Sequence, residues 1–262
     1  MVLFAVPASA VHDVAAAYGD VARGDQFVIH AVRGVCPNGD FALPHQVIRS
    51  QTCVRKIGVL GGPLYAPDLA EGRALAAVLA SRFDETFAAV SALTQQTQMR
   101  LHPTHDVIGV EVAGAISNVS ALAVGMAEAL SLGETARGVL LTRGLAEAAR
   151  LGVALGAQSA TFTGLAGLGD LIPRQVASTE RHHQIGALLV QGKSLESALT
   201  EVEGEVEGVC TAAQASAEAA RRGVDVVLVN VVNEVCQGRR EAKEALDEVL
   251  ERHLDLGRGL SA

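Results

Sequence analysis

The sequence predicts an α/β domain followed by an all-helical domain, with a partial, doubly wound sheet in the first of them. Short apolar runs alternate with helical stretches over the first hundred residues, which is typical of a parallel sheet with helices on both faces. After residue 104 the chain is dominated by Ala, Leu, Glu and Arg, which favour helix, and glycines stand at the joins. We therefore expect one domain over residues 1–104 and a second over residues 105–262.

The first domain is expected to contain four strands. Strands are predicted at Val2–Val6, Phe27–Val32, Ile57–Leu60 and Ala74–Ala80, and helices at Ser9–Tyr18 and Asp84–Leu93. Each strand is a nearly continuous apolar run, which fits a parallel sheet that is buried on both faces.

The second domain is expected to be built of helices alone. Helical sequence is found at Val107–Leu130, Glu134–Leu155, Arg181–Gln191, Ser194–Glu201, Thr211–Arg222 and Arg240–His253. The β-branched run Val224–Val235 is ambiguous, and we interpret it as a buried helix. The glycine-rich segment Gly164-Leu-Ala-Gly-Leu-Gly169 is interpreted as a tight turn between helices rather than a phosphate cradle.

The composition argues against several classes of function. Of the 262 residues, 49% are hydrophobic and 19% are charged, as in a globular protein. There are 21 Lys and Arg against 29 Asp and Glu, and only 3% aromatic residues, so a broad nucleic-acid surface is not expected. Four cysteines without a Cys-x-x-Cys pair indicate a reduced, cytoplasmic chain. We find no apolar stretch close to the ~20 residues of a membrane span.

The start of the chain lacks a dinucleotide signature. A doubly wound nucleotide-binding domain normally opens with a strand, a Gly-x-Gly-x-x-Gly turn and a helix, with an acidic residue ~20 positions later. Here the chain begins in the predicted strand Val2–Val6, and no such turn follows it. The apolar start also lacks the basic residues of a signal peptide, so we do not interpret it as one.

Several ordered segments carry a family resemblance. They are Asp106-Val-Ile-Gly-Val-Glu-Val-Ala-Gly-Ala-Ile-Ser-Asn-Val119, Leu141-Thr-Arg-Gly-Leu-Ala-Glu147, Thr161-Phe-Thr-Gly-Leu-Ala-Gly-Leu-Gly-Asp-Leu171 and Val206-Glu-Gly-Val-Cys-Thr-Ala212. Upstream, the matching segments are Ala5-Val-Pro7, Val32-Arg-Gly34 and Gly62-Pro-Leu-Tyr-Ala66. Over nearly the whole chain, these segments resemble the bacterial type of NAD(P)-dependent glycerol-3-phosphate dehydrogenase.

The resemblance implies a Rossmann-like first domain, a helical substrate and dimerisation domain, and NAD or NADP as cofactor. The family reduces dihydroxyacetone phosphate to glycerol 3-phosphate, a reaction of glycerolipid metabolism. This chain is expected to lack the family's first two βα units, each of about 30 residues. Because those units carry the dinucleotide turn, we expect weak cofactor binding. The implied partners are a small phosphorylated substrate and a second copy in a homodimer, with no nucleic acid and no membrane.

Two positions are implied to be catalytic. Ser117 stands where the family has a lysine that acts as the acid and base at the carbonyl oxygen, and Asp170 matches a substrate-site aspartate. A neutral hydroxyl supplies neither the proton nor the charge of an ammonium group, so Ser117 predicts slow turnover. The structural alternatives are a small packed residue for Ser117 and a cap or an ion pair for Asp170.

The resemblance also implies a set of binding residues. Substrate contacts are expected from Arg33, Gly62, Asn118, Asp170, Arg181 and His182, and cofactor contacts from Arg33, Ala66, Arg181 and Glu207. Some positions depart from the family's pattern: Arg33 replaces a lysine, and His182 replaces an asparagine. Glu180 puts a carboxylate beside Arg181, where an anion is expected to bind. For Glu207 a solvated side chain is the alternative.

Histidine pairs are the remaining candidates for chemistry. His182-His183 and His102-x-x-His105 have no Cys or Glu at the spacing of a recognised metal site, so we expect no metal.

Three functional hypotheses remain open. The first is an active glycerol-3-phosphate dehydrogenase, and the second is a degenerate homologue kept as a binding or structural module. The third is a related dehydrogenase that acts on another small hydroxy or phosphorylated substrate. The residues at Ser117, Leu64, Glu180 and His182 argue against full activity, so we expect a weak or inactive enzyme. A Gly-x-Gly-x-x-Gly turn encoded upstream of Met1 would favour the first or the third.

Overall fold

The computed structural model describes residues 1–37, 41–174 and 181–252. The first part of the chain forms one sheet, in which five strands lie side by side in chain order. The strands are β1 (Val2–Phe4), β2 (Phe27–His30), β3 (Lys56–Gly61), β4 (Leu75–Ser81) and β5 (Met99–Thr104). Helices make up the described chain after β5, so the predicted α/β class with a helical second part is confirmed.

The sheet is mixed, whereas a parallel sheet of four strands was predicted. Three neighbouring pairs are parallel, but β3 and β4 are antiparallel, with Val59 opposite Ala80. The prediction was therefore wrong in strand number and in one strand direction. The connection between these strands holds only the helix α3 (Ala66–Ala70). A helix of this length measures about 7–8 Å, too short to return along β3 to its start.

The fifth strand was missed because its sequence is polar. β5 reads Met99-Arg-Leu-His-Pro-Thr104, and none of its residues is fully buried. It lies at the edge of the sheet, where one side has no neighbouring strand and a proline is tolerated.

Three further helices pack in the first part: α1 (Val11–Gly19), α2 (Pro44–Gln51) and α4 (Asp84–Thr94). α1 and α4 agree with the predicted helices, whereas α2 was not predicted. Pro44 stands in its first turn, where the missing N–H of a proline needs no partner. The Leu43 N–H donates to Oε1 of Gln46 at 3.2 Å, which caps this helix. A single 3₁₀ turn, Ala8–Ala10, leads into α1.

Nine helices follow β5 in the described part of the chain. They are α5 (Val107–Ala129), α6 (Gly133–Ala154), α7 (Ser159–Thr163), α8 (Leu168–Arg174), α9 (Arg181–Val190), α10 (Leu195–Glu201), α11 (Glu207–Arg222), α12 (Val227–Cys236) and α13 (Ala242–Glu251). The ambiguous run Val224–Val235 is thus largely the helix α12, as interpreted from the sequence. The glycine-rich segment forms the turn between α7 and α8. His253, the predicted end of the last helix, lies outside the described residues.

α5 is the central helix of the second part. Twenty of its 23 residues are buried. Small residues let the neighbouring helices approach closely: a Cβ added at Gly125 would lie 2.4 Å from Cα of His183 on α9. On the other side, a Cβ at Gly144 of α6 would lie 2.1 Å from Oγ of Ser120. α5 is therefore held between α6 and α9 at a distance that only glycine permits.

The length and composition of α5 would also allow it to cross a membrane. Its mean hydropathy is 1.8. α5 is not a clean apolar run, however, because Glu111, Asn118 and Glu128 interrupt it. In addition, 94% of its apolar window is buried inside the protein, as in a core helix.

Asp106 fixes where α5 begins. Its Oδ1 accepts a hydrogen bond from the Gly109 N–H at 2.9 Å, the usual N-cap arrangement. Its Oδ2 accepts from the Gln158 N–H at 2.9 Å and from the Thr161 hydroxyl at 2.5 Å. One carboxylate thus joins the end of the sheet to α7.

Candidate active site

A cleft of about 1120 Å³ lies between the sheet and the helices. One wall is formed by residues that follow parallel strands: Pro7 after β1, Arg33 after β2 and Leu64 after β3. Because β4 runs in the opposite direction, its beginning, Ala74–Ala76, reaches the same edge. In open α/β sheets, ligands bind outside the carboxyl ends of the parallel strands. The cleft therefore has the position of a ligand site.

The helical part supplies the opposite wall. Its lining residues are Asn118 of α5, Asp170 and Pro173 of α8, Arg181 and His182 of α9, and Gly204, Glu205 and Glu207 near the start of α11. Residues far apart in the sequence are thus brought together in one cavity.

The Arg33 guanidinium is held by partners from two other segments of the chain. Nη1 donates to Oδ1 of Asp170 at 2.6 Å, and Nη2 donates to the Gly62 carbonyl oxygen at 2.6 Å. The Asp170 side chain is only 3% exposed and that of Arg33 is 19% exposed. Asp170 therefore forms an ion pair inside the cleft, which was its structural alternative in the sequence.

Asn118 and Ser117 differ in their access to the cleft. Asn118 lines it, and its Nδ2 donates to the Arg33 carbonyl oxygen at 3.1 Å. Ser117 is buried, does not line the cleft, and its Oγ has no hydrogen-bond partner among the described residues. One turn earlier, a Cβ added at Gly114 would be 3.9 Å from Cγ of Arg33. Since residues three apart share a helix face, a longer side chain at position 117 would point toward Arg33.

Gly62 and Ala66 lie on the segment after β3. Gly62 has a φ of +84°, and an added Cβ would lie 3.3 Å from the Leu165 carbonyl oxygen, so glycine is required there. Its carbonyl group is the one that orients Arg33. Ala66 is exposed at the start of α3 and does not line the cleft, although its neighbours Tyr65 and Asp68 do. Its predicted cofactor contact stays a prediction.

Glu207 joins the two walls. Its Oε1 accepts a hydrogen bond from the Ala8 N–H at 2.8 Å, at the start of the helical turn after β1. A Cβ added at Gly34 would lie 3.0 Å from Cβ of Glu207 and 3.1 Å from that of Ala8. Gly34 therefore allows the strand end to approach α11, and Glu207 does not have the solvated role that was its alternative.

Arg181 lies at the open side of the cleft. Its Nη1 donates to the Glu205 carbonyl oxygen at 3.1 Å, and the side chain is exposed. The Glu205 carboxylate accepts from the Ser9 hydroxyl at 2.6 Å. Glu180, predicted to place a negative charge beside Arg181, lies outside the described residues.

His182 is a buried member of the lining. Its exposure is 5%, and its Nε2 accepts the Gly208 N–H at 3.2 Å. An imidazole nitrogen that accepts a hydrogen bond carries no proton, so Nε2 acts here as an acceptor and not as a donor.

Acidic groups outnumber cations among the described lining residues. Two arginines, Arg33 and Arg181, face four carboxylates: Asp68, Asp170, Glu205 and Glu207. One of the two cations is already paired with Asp170. An anionic ligand would enter a cleft that offers little uncompensated positive charge.

Sequence reasoning missed several residues. Tyr65, Asp68 and Glu205 line the cleft, and their only sequence signal is closeness to predicted positions. It also missed a buried cluster, in which Glu111 lies 3.0 Å from Nε2 of His30 and 2.5 Å from Nδ1 of His45. Burial alone would raise the pKa of Glu111, but the two histidines lower it to about 2.

The comparisons with known proteins agree with this architecture. Residues 106–247 match the profile described as the NAD-dependent glycerol-3-phosphate dehydrogenase C-terminus, and residues 1–87 match that of the N-terminus. The chain belongs to this family. It is 36% identical over 257 residues to the glycerol-3-phosphate dehydrogenase [NAD(P)+] of Thiobacillus denitrificans, covering 97% of this chain and 77% of that protein.

Other relatives show how much of the family's length this chain matches. The enzyme of the same name from Delftia acidovorans is 39% identical over 221 residues, covering 82% of this chain and 66% of that protein. The chain thus spans about two thirds, or slightly less, of the length of several curated glycerol-3-phosphate dehydrogenases that it matches. The crystal structure of glycerol-3-phosphate dehydrogenase from Coxiella burnetii superimposes with a TM-score of 0.89 at 29% identity, covering 95% of this chain and 76% of that one.

Within this family fold, the structure brings together most of the residues predicted for the site. The residues that line the cleft are Arg33, Asn118, Asp170, Arg181, His182 and Glu207. Gly62 adjoins it through Arg33. Gly62, Ser117 and Ala66 are the three predicted residues that are not themselves in its lining.

Proposed function

We propose that the cleft is the substrate site of a glycerol-3-phosphate dehydrogenase that interconverts dihydroxyacetone phosphate and glycerol 3-phosphate with NAD or NADP. The observation that carries the proposal is the assembly of Arg33, Asn118 and Asp170 in one cleft with Arg181 and His182. These five residues come from four segments of the chain, and Asn118, Asp170 and Arg181 keep the residue type of the family's pattern. The names of the relatives from Thiobacillus and Coxiella support the same activity.

The described residues fit the reactive end of a nicotinamide dinucleotide better than its pyrophosphate. Pro7, Arg33 and Glu207 border the cleft at the carboxyl ends of β1 and β2. However, the sequence contains no Gly-x-Gly-x-x-Gly turn, and the Ala8 N–H after β1 is already bonded to Glu207. When bound, the cofactor would supply the hydride. Because a pyrophosphate cradle is lacking in these residues, we expect weak binding of NADH and NADPH to this chain.

We assign Arg33 to the carbonyl oxygen of the substrate. Its guanidinium keeps its charge at physiological pH, and Asp170 and the Gly62 carbonyl hold it in one orientation. A fixed cation stabilises negative charge that develops on the oxygen. It does not donate a proton, however, because arginine is not deprotonated in proteins.

The described lining residues include no lysine to donate the proton that completes the alcohol. Asp170, at the family's substrate-site position, is paired with Arg33. We therefore infer that the reaction is slow. Slow turnover is also what Ser117 at the family's lysine position predicts.

We assign the phosphate group of the substrate to Arg181, which is the exposed cation at the open side of the cleft. The test is calorimetric titration with dihydroxyacetone phosphate and, separately, with dihydroxyacetone, which lacks the phosphate. An Arg181→Gln variant is expected to bind the phosphorylated ligand at least about tenfold more weakly. Arg239→Gln, far along the chain and exposed, is the matched control. Equal affinities of Arg181→Gln and the unmodified chain for the phosphorylated ligand would contradict the assignment.

We further propose a cytoplasmic location and a homodimer. All four cysteines are free thiols, which supports a reducing compartment. Gel filtration with light scattering would measure the oligomeric state.

A further inference from the structure

A second pocket, of about 440 Å³, lies away from the cleft. It is bordered by Arg55 just before β3 and by Arg82 just after β4. Because β3 ends at the cleft and β4 runs antiparallel to it, the start of β3 and the end of β4 lie at the opposite edge of the sheet. The pocket therefore does not belong to the substrate site, and its volume falls within the range of about 300–1,000 Å³ found for small-molecule sites.

Three arginines line this pocket without a counterion. They are Arg49 of α2, Arg55 and Arg82, and none has a carboxylate or a hydrogen-bond partner for its guanidinium among the described residues. All three are exposed. Three like charges that border one cavity repel one another, and nothing in the described part of the chain offsets that repulsion. In a protein with a net charge of −8, such a cluster is not explained by a general excess of positive charge.

The nearby carboxylates have other partners. Asp84 lies 3.4 Å from Nε2 of His105, and Glu85 lies 3.6 Å from Nζ of Lys56. Glu111 is buried between His30 and His45. Asp84, Glu85 and Glu111 are therefore paired with residues other than the three arginines.

The floor of the pocket adds a further polar group. His45 lines it, and Nδ1 of His45 lies 2.5 Å from Oε2 of Glu111. This contact orients the imidazole ring at the pocket. Gln46 and Ser50, also in the lining, add an amide and a hydroxyl group.

We infer that this pocket binds a small soluble anion carrying two linked phosphate groups. Such a group carries about three to four negative charges, which matches three guanidinium groups. Arginine also suits phosphate oxygens because its planar fork donates two parallel hydrogen bonds. A lipid headgroup would present the same chemistry, but none of the exposed large apolar side chains of the described residues borders this pocket to enter a bilayer. The site is thus assigned to a soluble ligand.

The test uses inorganic pyrophosphate as the probe, titrated into the full chain by calorimetry at low salt, since salt screens exposed charges. An Arg49→Gln/Arg55→Gln/Arg82→Gln variant is expected to lose at least about tenfold in affinity. The control variant, Arg23→Gln/Arg100→Gln/Arg239→Gln, removes the same charge from exposed arginines outside the pocket and is expected to stay within about twofold. Circular dichroism melts test whether both variants fold. If the triple pocket variant does not fold, the single Arg82→Gln variant replaces it.

Several outcomes would overturn the inference. One is the absence of saturable pyrophosphate binding, and another is an equal loss in the pocket variant and in the control variant. Unchanged affinity in the pocket variant would place the pyrophosphate elsewhere, for example in the cleft. Sedimentation with vesicles of phosphatidylglycerol without pyrophosphate binding would assign the arginines to a membrane surface and refute a soluble ligand.

Discussion

Ser117 shows how a single residue next to the cleft can change the chemistry that the cleft supports. Its hydroxyl is buried and has no hydrogen-bond partner in the part of the chain that the structure describes, and it lies on the helix face that approaches Arg33. A lysine there would restore a donor and a positive charge near the assigned carbonyl oxygen. Since one such donor contributes about 10²–10³ in rate, we expect Ser117→Lys to raise the turnover of dihydroxyacetone phosphate at least about tenfold. The measurement is NADH and NADPH absorbance at saturating substrate.

A second substitution separates charge from size. Ser117→Met adds a chain of similar length without the ammonium group and is expected to give no gain. If the lysine and methionine variants turn over at the same rate, position 117 does not act through charge.

Glu147 is a buried acid whose ionisation is linked to the stability of the fold. It is buried on α6, and its carboxylate accepts the N–H groups of Leu228 at 2.8 Å and Val229 at 3.1 Å, at the start of α12. Burial raises the pKa of Glu147 to about 7, against the lowering effect of these hydrogen bonds and of the nearby arginines.

The stability of the protein should therefore depend on pH through Glu147. Between about pH 4.5 and 7 the folded protein holds this proton more tightly than the unfolded chain, so the stabilisation is complete below this window and is lost as the pH rises through it. The full effect is of order 3 kcal/mol. Glu147→Gln keeps an acceptor oxygen and does not titrate, so its urea-unfolding free energy should fall less between pH 5 and pH 8. The same pH slope in both proteins would disprove the assignment, and the exposed Glu134→Gln should keep the original slope.

At the scale of elements, close packing of α5 against α9 depends on glycine. A Cβ at Gly125 would meet the backbone of His183, which has no flexible end to move aside. Gly125→Ala is therefore expected to lower the free energy of unfolding by about 1–3 kcal/mol. Gly138→Ala on α6 meets nothing within 4 Å and should raise it by about 0.5–1 kcal/mol. Urea midpoints measure both, and a stabilising Gly125→Ala would show that the two helices separate easily.

The strands and helices also show which parts of the fold the sequence pattern predicts correctly. Strands β1 to β4 were predicted because each is an apolar run between turn residues, and α5 because small apolar residues continue over six turns. The edge strand β5 was missed because one of its faces meets water. The direction of β4 was wrong because antiparallel pairing depends on the short helix α3 between the strands, which an apolar pattern does not report.

At the scale of the whole molecule, the family could be predicted from the sequence, but the contacts between the predicted site residues could not. Arg33 and Asp170 are 137 positions apart, and Ala8 and Glu207 are 199 apart. Nothing in the sequence states that Asp170 pairs with Arg33 or that Glu207 bonds to a backbone N–H. Those contacts arise only when the sheet edge meets the helices. The pocket of Arg49, Arg55 and Arg82 was also missed, because its arginines lie in three separate segments.

The central claim is that this family cleft carries out the reduction slowly. It is tested most directly by the turnover of dihydroxyacetone phosphate by the unmodified chain, compared with the relative from Thiobacillus denitrificans under the same saturating substrate with NADH and with NADPH. We predict a rate at least about 10³-fold lower, because the family's lysine donor and its charge are missing at Ser117 and the described lining residues include no lysine in its place. Turnover within about tenfold of the relative would contradict this claim.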